Sequence, residues 1–315
     1  MLSLAGKTMQ LDDISPRQFR RDFVWSKQVD HSEMEYSCAV SAIEMALWDL
    51  LGKFLNSPVY RLLGGPLMVN IPLYANTWID GDLDLGRLVQ RCTNLVEQGY
   101  RAIKIYPLKF GNAQDCGECI KVVRQTVGDN IDIMLDLSAI NNPSLALDCA
   151  RKVTPYRPYW FEEPHPGEDL ETLARIRRQA GLRIVTGEKQ VGKEHYLKAL
   201  NLQAADILNP DIAGCGGILE ILEIGAMAET HSVTVSPHCW NSMTLALAAM
   251  LQVCAVMPNA EFAETFPTYF PFGEIFCRTN FIVAEGVARL GSSSGLGIEI
   301  DRSALISVAD VHSTL

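Results

Sequence analysis

Asp136, Glu162 and Glu188 are three carboxylates set at even intervals along the chain. Each sits at the end of a short apolar run: IDIMLDLS, YWFEEP and RIVTGEK. A carboxylate at the end of a buried strand is costly unless something compensates its charge. Three hard oxygen ligands, with no histidine or cysteine among them, suit a Mg²⁺-type ion that keeps positions open for water or substrate. Such an ion would also relieve the repulsion that otherwise raises the pKa values of clustered acids. Pairing of the acids with Lys104 or Lys189 is the structural alternative. Adjacent strand residues face opposite ways, so the spacing selects Glu162 for the site. Glu163 is then expected to point outward, towards a helix N-terminus or a basic side chain.

The elements that must hold these acids alternate in texture. Strand candidates are IPLYAN (71–76), AIKIYP (102–107), IDIMLDLS (131–138), YWFEEP (159–164), RIVTGEK (183–189), ADILNPD (205–211), VTVSPH (233–238) and EFAETF (261–266). Helical patterns such as DLGRLVQRCTNLVEQG and SLALDCARKV separate them. Eight such units are the sequence image of a parallel barrel ringed by helices. A doubly wound open sheet would normally carry a glycine-rich phosphate loop after its first strand, and IPLYANTWIDG has none. GSSSGLG lacks the lysine of a P-loop and reads as a loop. Before the strands, apolar residues at Val40, Ile43 and Leu47 recur at helical spacing. In SPVYRLLGG, Ser57 is the expected N-cap, Pro58 the first helical residue and Gly64 the stop.

In a parallel barrel all strand C-termini lie on one face. Lys104, Tyr106, Asp211, His238 and Glu264 therefore join the three acids around one expected pocket. Neutral His238 can accept a proton near physiological pH, and Asp211 can orient it and stabilise the imidazolium. Tyr106 is a weak base as a free phenol, but Lys104 faces the same way and favours the phenolate. Tyr106 can serve as a second base, as an acid for a leaving hydroxyl, or as a hydrogen bond to substrate. Glu264 can accept a hydrogen bond from substrate, or donate one if protonated. The remaining histidines (His31, His165, His195, His231 and His312) lack such context and are assigned to loops or helices.

The net charge of −10 over 315 residues argues against a nucleic-acid or anionic-membrane partner. It leaves room for a small anionic substrate. The nine cysteines form no framework. Cys116 and Cys119 make one C-x-x-C, and no second pair completes a zinc site, so reduced thiols in a cytoplasmic setting are expected. MLSLAGKTMQ lacks the apolar core of a secretory signal. No run of about 18 apolar residues suggests a membrane span.

Taken together, AIEMALWDLLGKFLNSPVYRLLGG, GYRAIKIYP, the LD of IMLDLS, WFEEP, TGE, NPDIAGCGG, SPH, PNAEFAE and SGLGIEID resemble the enolase superfamily in its mandelate racemase/muconate lactonizing enzyme branch. The resemblance implies an α/β fold: a (β/α)7β TIM-like barrel over 71–285, a partial, mainly helical capping domain over 1–70, and a segment over 286–315 packing back towards the cap. It implies Mg²⁺ on Asp136, Glu162 and Glu188, an Asp211–His238 pair, a final-strand acid at Glu264, and contact between Lys104 and a substrate carboxylate. Three departures stand out. Tyr106 replaces the second lysine of K-x-K, Ser138 takes a place often held by Asn or His, and the branch's N-terminal β-meander and specificity loops find no room before the helices. The expected reaction is removal of a proton α to a carboxylate with ene-diolate stabilisation. Dehydration of a sugar acid to a 2-keto-3-deoxy acid fits one base and one acid. A racemase or epimerase, which wants two bases, is the second enzyme reading, and a truncated barrel with only a structural role is a third. A homo-oligomer is expected.

Overall fold

A computed structural model describes residues 14–24, 34–78, 84–240 and 243–312. MLSLAGKTMQ and His31 lie outside these residues. The chain opens with helices α1 (Pro16–Val24), α2 (Met34–Phe54) and α3 (Val59–Leu62). Helix α2 buries Val40, Leu47 and Trp48 along one side. At α3 the N-cap is Pro58 rather than Ser57. Pro58 is held extended because it bridges to Gly295, whose carbonyl accepts from Val59 N at 2.9 Å. Gly64, at φ +99°, follows the helix end as expected.

Next come β1 (Asn70–Asn76), α4 (Leu85–Glu97), β2 (Ala102–Ile105), α5 (Ala113–Val127), β3 (Asp132–Asp136), α6 (Pro143–Val153), β4 (Trp160–Glu162) and α7 (Leu170–Ala180). The alternation continues through β5 (Ile184–Thr186), α8 (Lys193–Asn201), β6 (Ile207–Leu208), α9 (Ile218–Thr230), β7 (Thr234–Val235), α10 (Met243–Cys254) and β8 (Ala263–Thr265). Side-chain caps start several of these helices: Asp84 accepts from Arg87 N, Asn112 and Asp115 form a capping box, and Asn142 accepts from Leu145 N. Strands β1 to β7 pair in sequence order, all parallel. Strand β8 pairs parallel with β1. A parallel bridge between Val235 and Ala260 closes the ring between β7 and β8. The result is a (β/α)7β barrel among the described residues.

Two apolar layers hold it. Inside the barrel Tyr74, Ala102, Met134, Trp160, Val185 and Ile207 stack, one from each of β1 to β6. Outside, residues such as Ile103, Ile133, Phe161 and Ile184 meet the helices. This inward–outward alternation is what the strand period of two requires. Cys116 and Cys119 are buried on α5, and Cys116 Sγ lies 3.6 Å from Cys149 Sγ on α6. After β8 the chain forms α11 (Phe270–Glu274), β9 (Cys277–Thr279), β10 (Ile282–Ala284), β11 (Val287–Arg289), β12 (Ile298–Ile300) and α12 (Arg302–His312). Strand β11 returns antiparallel along the start of β1. Among the described residues no helix is long and apolar enough to cross a membrane.

Candidate active site

The barrel's C-terminal face gathers the predicted polar residues. Asp136 and Glu162 end β3 and β4 and are direct partners in the sheet register. Glu188 lies beyond the end of β5, carried past it by Gly187 at φ +136°. Asp211 and His238 also lie past their strands and are joined by a parallel bridge. Lys104 and Glu264 sit within β2 and β8, and Tyr106 directly follows β2.

Lys104 is fully buried among acids. Its Nζ donates to Glu162 Oε1 at 2.8 Å, and lies 2.9 Å from Glu264 Oε1 and 3.7 Å from Asp136 Oδ2. Burial opposes its charge, but Glu162 and Glu264 outweigh burial and hold the ammonium charged well above its ordinary range. Lys104 thus neutralises part of the charge of the acids around it. Glu264 accepts from Asn76 Nδ2 at 2.8 Å and from Cys239 N at 3.0 Å. Burial works against its charge, yet Lys104 and His238 pull it down to about 2. In this arrangement it acts as a hydrogen-bond acceptor.

Asp211 Oδ2 takes the Nδ1 proton of His238 at 2.6 Å, and Trp240 N and Ala213 N donate to the same carboxylate. This fixes the ring with Nε2 outward. Nε2 lies 3.3 Å from Glu188 Oε2 and 3.4 Å from Glu264 Oε2. Burial lowers the imidazole's pKa, but Glu264, Glu188 and Asp211 together raise it to about 10.

Tyr106 departs from expectation. Burial pushes its phenol well up, and Lys104 offsets this only in part because Asp136, Glu264 and Glu162 add to the rise. The phenolate is disfavoured. Tyr106 Oη accepts from Asn76 Nδ2 at 2.6 Å, and the Asn76 carbonyl is fixed by Trp78 N at 2.7 Å. The hydroxyl proton thus remains available to a ligand.

Glu163 also departs. Instead of meeting a helix N-terminus or a basic side chain, it is buried and accepts from Thr186 Oγ1 at 2.7 Å and Gly187 N at 3.0 Å. The reason is its φ of +42°, which breaks the strand alternation that the expectation assumed. Burial and Glu188 push its carboxyl up to about 8.

Asn76 and Asn209 belong to the site although the sequence did not single them out. Asn209 Nδ2 donates to Glu162 Oε1 at 2.9 Å. Both stand at strand ends, which was the available signal, but neutral amides carry no charge pattern. Of the other histidines, His165 is buried in a loop against Asp169, and His231 follows α9 on the surface.

A cavity of about 420 Å³ opens onto Tyr106, Asp136, Ser138, Glu188, Asp211 and His238, with Lys189, Trp78 and Trp240 in its wall. Trp240 lies nearly parallel to the His238 ring at 6.5 Å, and edge-on to Trp78 at 5.4 Å. The donor set suits a divalent cation. Among the described residues, Asp136, Glu162, Glu188, Asp211 and Glu264 face only Lys104, Lys189 and His238 as cationic neighbours. Burial lifts Asp136 to about 6, against Lys104 and with Glu188, and lifts Glu162 well above the carboxylate range. Surplus negative charge of this kind is what a bound cation relieves. Ligand atoms of Glu162, Glu188 and His238 lie within 4.8 Å of one another. A hard ion prefers the carboxylates of Asp136, Glu162 and Glu188, whereas a softer ion would take His238.

The sequence matches two family descriptions: Enolase C-terminal domain-like over residues 87–304, and Mandelate racemase / muconate lactonizing enzyme, N-terminal domain, over residues 17–64. It is 31% identical over 298 residues to a D-gluconate dehydratase of Thermoproteus tenax, covering 91% of this chain and 58% of that protein. The chain thus spans less than two thirds of that relative. It is 32% identical over 278 residues to a D-galactarolactone cycloisomerase of Agrobacterium fabrum, covering 85% of this chain and 72% of the relative. Among solved structures, an enolase from environmental shotgun sequencing of the Sargasso Sea superposes with a TM-score of 0.89 at 37% identity, covering 94% of this chain and 78% of the other.

Proposed function

The chain belongs to the mandelate racemase/muconate lactonizing enzyme branch of the enolase superfamily, and from that premise we propose that it removes the α-proton of a sugar acid, with Mg²⁺ as cofactor, and dehydrates it to a 2-keto-3-deoxy acid. The observation that carries the reading is the Asp211–His238 pair at 2.6 Å beside a cavity that also exposes Asp136 and Glu188. Dehydratase relatives support the substrate class.

Asp136, Glu162 and Glu188 would hold the ion. Bound there, it supplies Lewis-acid stabilisation of the negative charge that develops on the substrate carboxylate. Asp211 keeps the Nδ1 proton of His238 in place, so Nε2 is the atom that exchanges a proton with the α-carbon. The Cα–H bond breaks, the proton passes to Nε2, and the electron pair moves into the carboxylate. The β-hydroxyl then leaves with a proton. We assign that proton to Tyr106, whose phenol is held protonated and accepts from Asn76 Nδ2. The imidazolium returns its proton to Tyr106, or gives it to the leaving oxygen directly; water is released, and the enol left behind takes a proton at C3 from solvent as its C2 hydroxyl gives one up, which yields the 2-keto-3-deoxy acid. Neutral His238 must form against the pull of Glu264, Glu188 and Asp211.

Proton NMR of candidate sugar acids in D₂O with Mg²⁺ tests the proposal. Deuterium incorporation together with a semicarbazide-reactive ketone is expected, and His238→Asn should abolish both. Full turnover by that variant contradicts the assignment. The second reading is cycloisomerisation, favoured by the Agrobacterium fabrum relative. It predicts a product of unchanged mass, because the leaving oxygen stays attached to the substrate, whereas dehydration loses one water. Racemisation is less well served, because a protonated Tyr106 is a poor second base.

A further inference from the structure

We infer that Glu163 is a positioning residue that fixes Glu188, and through it the cation affinity of the site. The inference rests on the cation reading above. Glu188 itself has weak anchors: its carboxylate lies 3.3 Å from His238 Nε2 and 3.6 Å from Lys189 Nζ. Its place must therefore come from the turn that carries it. That turn is gripped from one side by a buried acid. Glu163 Oε1 accepts from both Thr186 Oγ1 and Gly187 N, the two residues directly before Glu188. On the other side Tyr196 Oη donates to Gly187 O at 2.8 Å. A Cβ at Gly187 would meet the Tyr196 ring at 2.9 Å, so the turn has little freedom to move.

The backbone of Glu163 extends the grip. Its N–H donates to Val185 O at 2.9 Å, and its carbonyl accepts from Ala139 N at 2.9 Å. Ala139 follows Ser138, whose N–H donates to Asp136 Oδ1 at 2.7 Å. One residue thus ties the loop after Asp136 to the turn before Glu188, with Glu162 between them. Holding φ at +42° in a non-glycine residue is unfavourable in itself. The left-handed turn brings the carboxyl back over the neighbouring strand end instead of outward. Partners of ligating carboxylates set metal affinity in this way.

The test is isothermal titration of the full chain with Mn²⁺ and Mg²⁺, with thermal unfolding measured alongside. Glu163→Ala should weaken binding by about 10–100-fold. Glu163→Gln keeps a carbonyl oxygen for Thr186 and Gly187, and should bind close to the wild-type level. Thr186→Val removes one of the two bonds and should fall between them. Where Glu163→Ala does not fold, Thr186→Val decides. Wild-type affinity in Glu163→Ala or Thr186→Val overturns the inference. So does equal weakening in Glu163→Gln and Glu163→Ala, which would make the charge of Glu163, and not its grip on the turn, the operative property. A wild-type chain that binds neither ion removes the cation reading and this inference with it, an outcome distinct from both.

Discussion

Replacing Lys104 by Met should destabilise the barrel in a pH-dependent way. Lys104 Nζ lies 2.8 Å from Glu162 and 2.9 Å from Glu264, and all three side chains are fully buried. Removing one partner of a buried ionic cluster leaves uncompensated charge and costs about 3–5 kcal/mol. The sign follows from Glu264. In the wild type its folded pKa is depressed to about 2, so its stabilisation is present above the ordinary value of 4.5 and is lost as pH falls towards 2. Without the ammonium, burial governs, and the folded pKa rises above the unfolded value. Stability is then fullest at low pH and is lost as pH rises. The deficit of Lys104→Met relative to wild type should therefore grow between pH 5 and pH 8. Urea unfolding at both pH values, with chelator present to exclude metal effects, measures it. Equal stability at pH 8, or a deficit that does not change with pH, would refute the reasoning.

Asp211→Asn should lower kcat by about 10²–10⁴-fold by favouring the wrong His238 tautomer, with cation affinity unchanged by calorimetry. Glu44 is buried and accepts from Trp48 Nε1, Ile218 N and Leu219 N, bridging α2 to the start of α9. Glu44→Ala should cost about 1–3 kcal/mol in denaturant unfolding by stranding these donors. Burial disfavours the Glu223 carboxylate, but Arg20 and Lys193 bring its pKa down to about 2. Its contribution is present above 4.5 and fades as pH falls towards about 2; being partly exposed it is worth about 1 kcal/mol or less, so Glu223→Gln should approach wild type only at about pH 2 and below.

Much of the barrel was legible because its signal is local. Each strand candidate is a short apolar run, and the polar residue at its end marks the face where the loops meet. The even spacing of Asp136 and Glu162 reflects a true register pair. Glu188 is different: Glu162 pairs with Val185, so Glu188 stands three residues further along and reaches the site through the turn at Gly187. Equal spacing did not mean equal height. The destination of Glu163 was hidden because strand periodicity says nothing about a residue at positive φ. The state of Tyr106 was hidden because it depends on which acids share Lys104, a matter of distances within about 4 Å. The resemblance to the family pointed to the proposed ligand set and to the Asp–His pair. It could not anticipate Asn76 and Asn209, which complete the hydrogen bonding beneath them.

Anomalous diffraction from crystals grown with Mn²⁺ addresses the ion directly. The account predicts a single peak with oxygens of Asp136, Glu162 and Glu188 within about 2.0–2.6 Å and His238 Nε2 outside the coordination sphere. A peak ligated by His238 in place of Asp136, or no peak on these strand ends, would contradict it.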